Sequence, residues 1–172
     1  MTPSTTLTSA DELSLERLAE LFTRAYESYE VPMHVDAGAI AFMEETLDLY
    51  PERSRVAWRG GEPVGVAMLG VRGEAGWVGG MGVIAAARRS GVGEQLMRAL
   101  IAEARAAGVR RLGLEVLEGN APARALYEKL GFRKFRRLEV YALENPVAPR
   151  PGAASACDPR AARRRIDRKS VV

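Results

Sequence analysis

Two arginines and two glycines lie where a strand pattern gives way to a helix pattern. The segment reads Arg88-Arg89-Ser90-Gly91-Val92-Gly93, here called the Arg-Gly loop. Glycines let a ligand approach the backbone closely, and the free N–H groups and dipole of a helix start favour an anion. The guanidinium groups of Arg88 and Arg89 suit phosphate. The segment predicts a phosphate-binding loop, although a glycine pair before a helix is by itself often only a turn.

Two other phosphate-binding patterns are excluded. The sequence contains no Gly-Lys-Ser or Gly-Lys-Thr, so the Walker pattern is missing. The segment Gly80-Met81-Gly82-Val83-Ile84-Ala85 fits the letters of a dinucleotide-binding motif, but it lies inside a strand pattern instead of opening a helix. Its glycines, with Gly76 and Gly79, indicate a bulge or a close approach of another chain segment to the strand.

A second group of reactive side chains follows the next strand pattern. Glu115 suits a general base and Tyr127 a general acid, with Asn120 between them. Each also has an ordinary structural explanation: a solvated carboxylate, a packed ring and a helix cap. Spacing alone leaves both explanations open.

The elements that must position these residues alternate along the first 144 residues. A capping box at Ser9–Glu12 predicts the start of a first helix, and the apolar pattern continues to about Tyr29. Pro32 follows and prevents the helix from continuing. Asp36 precedes a second helix. Two further helices are predicted from Gly91 to Gly108 and from Asn120 to Gly131.

The strand patterns cover residues 54–58, 63–71, 76–84, 111–117 and 132–143. A hairpin is predicted at residues 59–62, whose sequence is Arg-Gly-Gly-Glu. The strand–helix–strand unit over residues 76–117 requires a parallel pair joined by a crossover. The predicted fold is therefore α/β, a mixed and mostly antiparallel twisted sheet with helices on both faces.

Composition restricts the class of protein. The 172 residues suffice for one domain with a substantial core. Neither a secretory signal nor an apolar run of membrane-spanning length is found, and the one cysteine, Cys157, excludes an intrachain disulfide, which predicts a cytoplasmic protein. With His34 as the one histidine, no metal site is expected.

The basic character of the chain is concentrated at its end. Residues 145–172 hold seven basic and two acidic residues, a net charge of +5, whereas residues 1–144 carry −2. Four of the nine prolines also follow Asn145, and large apolar residues are scarce there. We expect a domain over 1–144 and a disordered tail over 145–172. The tail could bind nucleic acid, but a solvated tail is favoured.

Both reactive segments resemble motifs of the GCN5-related N-acetyltransferases. The family pattern V-x-P-x-x-[RQ]-x-x-G-x-[GA] matches Val83 to Gly93, with Ala85 in place of the proline. The second pattern, which begins L-E-V and ends L-Y-E-x-x-G-F, matches Leu114 to Phe132 and includes Asn120. The resemblance covers about residues 5–143 and is most specific over 76–135.

This resemblance implies transfer of an acetyl group from acetyl-CoA to an amine. The Arg-Gly loop would hold the pyrophosphate of CoA, and Arg89 could assist at the 3′-phosphate. The backbone around Met81 and Val83 would pair with the pantetheine arm, next to a parallel strand that splays away and leaves a V-shaped cleft.

Catalytic roles also follow from the resemblance. Glu115 would deprotonate the amine, directly or through water, and Tyr127 would protonate the departing thiolate in a ternary complex. Asn120 would orient the cofactor or substrate, or simply cap its helix.

The acceptor is the part that the sequence leaves open. Tyr29 and Glu30 are expected in the lid after the first helix, with Met33 and His34 nearby. They fit a small-molecule or peptide amine, and the oligomeric state, including a homodimer, stays open.

A catalytically silent acetyl-CoA sensor would keep Gly91 and Gly93 without needing Glu115 or Tyr127, so the presence of both favours an enzyme. No membrane partner is expected, and nucleic acid is disfavoured because residues 1–144 carry a net negative charge.

Overall fold

The structure is a computed structural model that describes residues 4–29 and 33–139 of the chain. Within those ranges, no helix combines the length and apolar character needed to cross a membrane. The main elements are, in chain order, β1 (Thr6–Ser9), α1 (Leu15–Tyr26), α2 (Ala37–Thr46), β2 (Arg55–Arg59), β3 (Glu62–Arg72), β4 (Ala75–Val83), α3 (Val92–Ala106), β5 (Arg111–Gly113) and α4 (Ala121–Lys129).

The five strands form one mixed sheet in the order β1-β2-β3-β4-β5. The first three pairs are antiparallel, including the predicted β2–β3 hairpin, and the β4–β5 pair is parallel. That parallel pair joins only Ala75–Trp77 to Arg111–Gly113. The rest of β4 has no strand partner on this edge within the described residues, and we call the resulting gap the β4–β5 cleft. The mixed α/β fold with a splayed parallel pair is confirmed.

Alternation along the central strands places helices on both faces of the sheet. Val56, Val66 and Met68 lie in one core cluster with residues of α1 and α2. Their neighbours Ala57, Ala67 and Leu69 lie in a second cluster with α3 and Tyr127 of α4. Because side chains alternate between the faces of a strand, β2 and β3 supply apolar surface to both layers.

Glycines let other parts of the chain pack directly on β4. The register between β3 and β4 shifts at Gly79: Met68 lies opposite Gly80, whereas Leu69 lies opposite Val78. A Cβ atom on Gly79 would lie 2.4 Å from Leu49 Cδ2, and one on Gly80 would lie 2.7 Å from Phe22 Cε1. The interpretation of these glycines as a bulge and a close approach is confirmed.

The predicted start of the first helix is wrong. Ser9 ends β1, and its hydroxyl lies 3.4 Å from the Glu12 carboxylate instead of capping a backbone amide. The α-helix begins at Leu15, and the Ser14 hydroxyl accepts a hydrogen bond from Arg17 N. Residues 6–9 pair with β2. Ser9, which the local capping signals assigned to the start of the helix, is therefore part of a strand.

The strands predicted near the end of the domain are too long. β5 stops at Gly113 rather than residue 117, and residues 132–139 contain no strand. Four of those eight residues are basic, and Phe135 and Leu138 are exposed. Beyond Phe132, which packs against the second core cluster, the described part of this stretch therefore has no buried apolar face of the kind that stabilises a strand. The chain divides into compact units at Arg133 and Lys134. Residues 140–143, the predicted 144/145 boundary and the tail lie outside the described residues, as does Pro32.

Candidate active site

The Arg-Gly loop has the backbone conformation of an anion-binding turn. Arg89 and Gly91 both adopt positive φ, +55° and +83°. Such left-handed residues turn successive N–H groups towards one side of the backbone. The loop leads into α3, whose N-cap is Gly91, with no side chain to bond the first free amides. Ser90 Oγ donates to Ala87 O at 2.6 Å and fastens the turn.

Arg59 approaches this loop from the end of β2. Its Nη2 donates to Ser90 O at 3.2 Å, and its Nε donates to Thr5 Oγ1 at 2.8 Å. The guanidinium of Arg59 thus lies beside the free amides at the start of α3, in addition to the arginines of the loop itself. Sequence analysis missed Arg59 because the contact spans 31 residues and depends on how the β2–β3 hairpin packs near the start of α3.

The side chain of Arg88 points towards α1. Its Nε donates to Val83 O at 2.9 Å, its Nη2 to Ala25 O at 2.9 Å and its Nη1 to Ser28 Oγ at 2.8 Å. All three guanidinium nitrogens are therefore engaged in fastening the end of α1 to the end of β4. Both loop arginines are exposed, but because these contacts engage the guanidinium of Arg88, Arg89 is the one whose side chain is available to a ligand phosphate.

The first turn of α3 packs closely against the cleft. A Cβ atom on Gly93 would lie 3.0 Å from Met81 Cε and 3.4 Å from Leu126 Cδ2, so Gly93 permits this contact. Val92 is buried in the second core cluster. Glu94 bonds Lys129 Nζ at 2.6 Å and Arg98 Nη2 at 2.8 Å. The hydrogen bond from Lys129, then that from Arg98, lowers the pKa of Glu94, and these cations offset its charge beside the loop.

Tyr26 of α1 forms hydrogen bonds with the edge of β4 that faces the cleft. The Tyr26 hydroxyl donates to Met81 O at 3.0 Å and accepts from Met81 N at 3.1 Å. Since one edge of β4 pairs with β3, these Met81 groups point to the opposite edge, towards the cleft. Burial of the phenol raises the pKa of Tyr26, partly opposed by its bond to Met81, so the hydroxyl is protonated at neutral pH.

Tyr127 reaches the same region from α4. Its ring lies in the second core cluster and makes an edge contact with Phe132, with ring centroids 5.9 Å apart. Burial, and then the fields of Tyr26 and Tyr29, raise the pKa of Tyr127 to about 12. Tyr26 and Tyr29 are themselves in edge contact at 5.2 Å. The fold thus places Tyr26 at the end of α1, Tyr29 just after it and Tyr127 of α4 near one another, although α1 and α4 are far apart in the sequence.

Glu115 lies just past the end of β5. It is exposed, whereas its neighbours Leu114 and Val116 pack against the second core cluster. Its carboxylate is therefore accessible to solvent and to a diffusing amine. Asn120 caps α4: its Oδ1 accepts from Ala123 N at 3.2 Å. The capping alternative predicted for Asn120 is observed.

The segment after α1 is tied back to that helix. Thr23 Oγ1 accepts from Val35 N and donates to Val35 O, both at 3.2 Å. A depression of about 310 Å³ is lined by Thr23, Arg24, Glu27, Met33 and His34. Its α1-side residues Thr23, Arg24 and Glu27 follow a different face of that helix from Tyr26. The predicted acceptor residue Glu30 lies outside the described residues.

In the part of the chain that the structure describes, no group of three or more His, Cys, Asp or Glu side chains is arranged to hold a metal ion.

Comparisons with known proteins agree with this arrangement. The family model described as Acetyltransferase (GNAT) family matches residues 15–132. The ribosomal-protein-S18-alanine N-acetyltransferase from Escherichia coli is 26% identical, with a TM-score of 0.65 over 77% of this chain and 80% of that one. No curated protein sequence matches.

Two further solved structures share the fold. The aminoglycoside-modifying AAC(6′)-Iy, in complex with the bisubstrate analogue CoA-S-monomethyl-acetylneamine, is 21% identical, with a TM-score of 0.63 over 81% of this chain and 98% of that one. The yncA protein of Salmonella typhimurium, solved with its cofactor acetyl-CoA, is 23% identical, with a TM-score of 0.61 over 75% of this chain and 79% of that one.

The family match spans more than half of the chain, and the splayed sheet and uncapped α3 agree with it. The chain therefore belongs to the acetyltransferase (GNAT) family. It is an acetyl-CoA-dependent N-acetyltransferase.

Proposed function

We propose that the protein acetylates a primary amine by direct attack on acetyl-CoA in a ternary complex. Glu115 serves as the base and Tyr127 as the acid. The observation that carries the proposal is the Tyr127 phenol, which is buried and protonated at neutral pH in the region shared with Tyr26 and the β4 edge. A protonated acid at this position suits the leaving group, and an exposed carboxylate after β5 suits the incoming amine.

The Arg-Gly loop and β4 would bind the donor. The free amides at Gly91, Val92 and Gly93 would donate hydrogen bonds to the pyrophosphate oxygens, with Arg59 and Arg89 supplying positive charge. Ser90 and Arg88 would act mainly by shaping the turn, through their bonds to Ala87 O and Val83 O. The pantetheine arm would then follow β4 at Met81 and Val83, where β5 no longer pairs.

Proton transfers at the nitrogen and at the sulfur accompany the acyl transfer. An ammonium cannot attack, so Glu115 takes one proton from it, directly or through a water molecule. The amine nitrogen then bonds to the thioester carbon, the carbon–sulfur bond breaks, and Tyr127 protonates the thiolate. The second proton of the nitrogen restores the Tyr127 phenol and Glu115 releases its proton to solvent, so the products are an acetylated amine, CoA and one proton.

The acceptor is proposed as a small-molecule or peptide amine that approaches past Tyr29 and Glu30. The similar structures include enzymes for both kinds of acceptor, a protein alanine and an aminoglycoside. A screen of peptide N-termini and small polyamines with acetyl-CoA, followed by thiol release, tests the proposal. Donor binding without thiol release from any acceptor would instead favour a silent sensor. A cytoplasmic location is proposed from the single cysteine.

Replacing Gly91 by leucine should abolish measurable CoA binding and preserve the fold. A Cβ atom there meets only Gln95 Nε2, at 4.0 Å, so the side chain has room. It would, however, project into the space in front of the first α3 amides. The positive φ adds a strain of about 1–2 kcal/mol. Calorimetric titration with CoA measures the effect.

Gly108→Leu is the matched control for this variant. Gly108 also has a positive φ, +79°, and open space around its Cβ position, but it lies at the other end of α3. It should lose similar stability and keep its CoA affinity. Equal CoA affinity in the Gly91 variant and the wild type would contradict the proposed loop.

The domain is proposed to end near residue 144, so residues 145–172 should be dispensable. Their composition offers no periodic apolar face that could pack on a domain. A chain that stops at Asn145 should melt within a few degrees of the full chain and bind CoA equally well, as measured by thermal denaturation and calorimetry. A large loss of thermal stability would contradict this boundary.

A further inference from the structure

The Tyr26 hydroxyl occupies both polar backbone groups that Met81 turns towards the cleft. It donates to Met81 O and accepts from Met81 N, at 3.0 and 3.1 Å. A hydroxyl has one donor and two acceptor positions. One oxygen can therefore imitate the C=O and the N–H that a neighbouring strand would present. Tyr26 completes the β4 edge where β5 no longer pairs with it.

Close packing on glycines holds the Tyr26 ring in this position. A Cβ atom on Gly82 would lie 2.8 Å from Ala25 Cβ and 3.0 Å from Tyr26 Cε2, so a side chain there would push α1 and the Tyr26 ring away from β4. The ring also stacks on Phe22 at 6.0 Å and meets Tyr29 edge-on at 5.2 Å. The packing of α1 on β4 therefore fixes the position of the Tyr26 hydroxyl, and the ring does not rotate freely as a surface side chain would.

The hydrogen bonds between the Tyr26 hydroxyl and Met81 conflict with the proposed position of acetyl-CoA along β4. A pantetheine arm that pairs with β4 needs the same Met81 groups. The Met81 N–H has one hydrogen and makes one strong bond at a time, so it cannot serve Tyr26 and the arm together. Either Tyr26 leaves when the donor binds, or the donor does not pair with Met81.

We propose that Tyr26 is an internal competitor of acetyl-CoA, bonded to Met81 in the free protein and displaced from Met81 by the donor. This inference rests on the proposed function, because it needs a donor that follows β4. Tyr26 satisfies two half-buried backbone groups while the cleft is empty, and so stabilises the free protein. The same bonds must break before the donor can pair, which reduces the observed donor affinity.

Tyr26→Phe tests the proposal, because phenylalanine keeps the ring and its packing and removes only the hydroxyl. The dissociation constant for acetyl-CoA should fall about 3- to 10-fold, the size expected for one net hydrogen bond. The melting temperature should fall in the free variant, and the difference from wild type should shrink at saturating acetyl-CoA. Tyr50→Phe removes a hydroxyl from an exposed ring and should change neither quantity.

Titrations with CoA, run in parallel with those with acetyl-CoA, identify the part of the donor that competes with Tyr26 for Met81. Tighter binding of both CoA and acetyl-CoA supports displacement by the pantetheine arm, and tighter binding of acetyl-CoA alone supports displacement by the acetyl oxygen. An unchanged or weaker affinity for both ligands, with the same loss of melting temperature in free and bound protein, overturns the proposal, because Tyr26 would then hold Met81 in both states. Wild-type protein that binds neither ligand would overturn the proposed function as well, and that result precedes any comparison of variants.

Discussion

The Tyr127→Phe variant is expected to turn over at least about 100-fold more slowly than the wild type, because a general acid typically contributes 10²- to 10⁴-fold. Phenylalanine retains the edge contact with Phe132 and the packing in the second core cluster, so the fold should persist. The KM for acetyl-CoA should change much less, since donor binding depends on the Arg-Gly loop and β4. Steady-state rates with a good acceptor measure both quantities.

The pH dependence gives a second test of the same residue. Because burial raises the pKa of Tyr127 to about 12, its proton is present throughout the neutral range. The wild-type rate should therefore show no loss from this group until the pH approaches that value. The same shift means that the folded state holds the proton more tightly than the unfolded state. Its stabilising contribution is complete below pH 10 and declines as the pH rises towards 12.

A near-normal rate in Tyr127→Phe would show that the thiolate leaves unaided or through water, and Tyr127 would then be a packing residue only. Tyr50→Phe again serves as the control for loss of a phenol outside the cleft.

The Glu115→Gln variant should lower the rate by about 10²- to 10⁴-fold at neutral pH, the usual range for a general base. Glutamine keeps the size and the hydrogen-bonding capacity of the side chain but cannot accept the proton. The defect should shrink as the pH rises, because a growing fraction of the acceptor amine is then already neutral. The ratio of wild-type to variant rates across the pH range is the measurement.

Glu62→Gln provides the matched control for this substitution. Glu62 is an exposed carboxylate at the start of β3, opposite Arg59 in the β2–β3 hairpin, and has no proposed role in proton transfer. Its replacement should leave the pH–rate profile unchanged. A Glu115→Gln rate that is reduced equally at every pH would contradict the proton-transfer role and indicate that Glu115 contributes to binding instead.

The Arg-Gly loop could be found from the sequence because its signals are local. Glycines at 91 and 93 and the helix pattern that follows lie within a few residues of one another, and α3 begins at Val92, close to the predicted start at Gly91. The cap at Asn120 and the hairpin at residues 59–62 are equally local. Such features are determined by backbone preferences that act within one or two turns of chain.

Elements that depend on distant partners were predicted less well. The capping signals at Ser9 and Glu12 are real in sequence, yet residues 6–9 form β1 because β2 supplies a strand to pair with. Likewise, β5 ends at Gly113 although the apolar alternation continues to Leu117, because pairing with β4 stops at Trp77. The energy of strand pairing is non-local, and a single sequence does not show where it begins or ends.

By itself, the sequence determined the order of α1 to α4 and of β2 to β5. It also supplied the prediction of a phosphate-binding loop and the resemblance that led to the family, since each is encoded in short runs of residue type. Only the tertiary structure decided that Arg59 reaches Ser90, that Arg88 fastens α1 to β4 and that Tyr26 occupies Met81. These contacts join residues 31 to 63 positions apart. They exist because glycines bring α1 directly onto β4 and because the sheet splays beside it, and both are properties of packing rather than of any one segment.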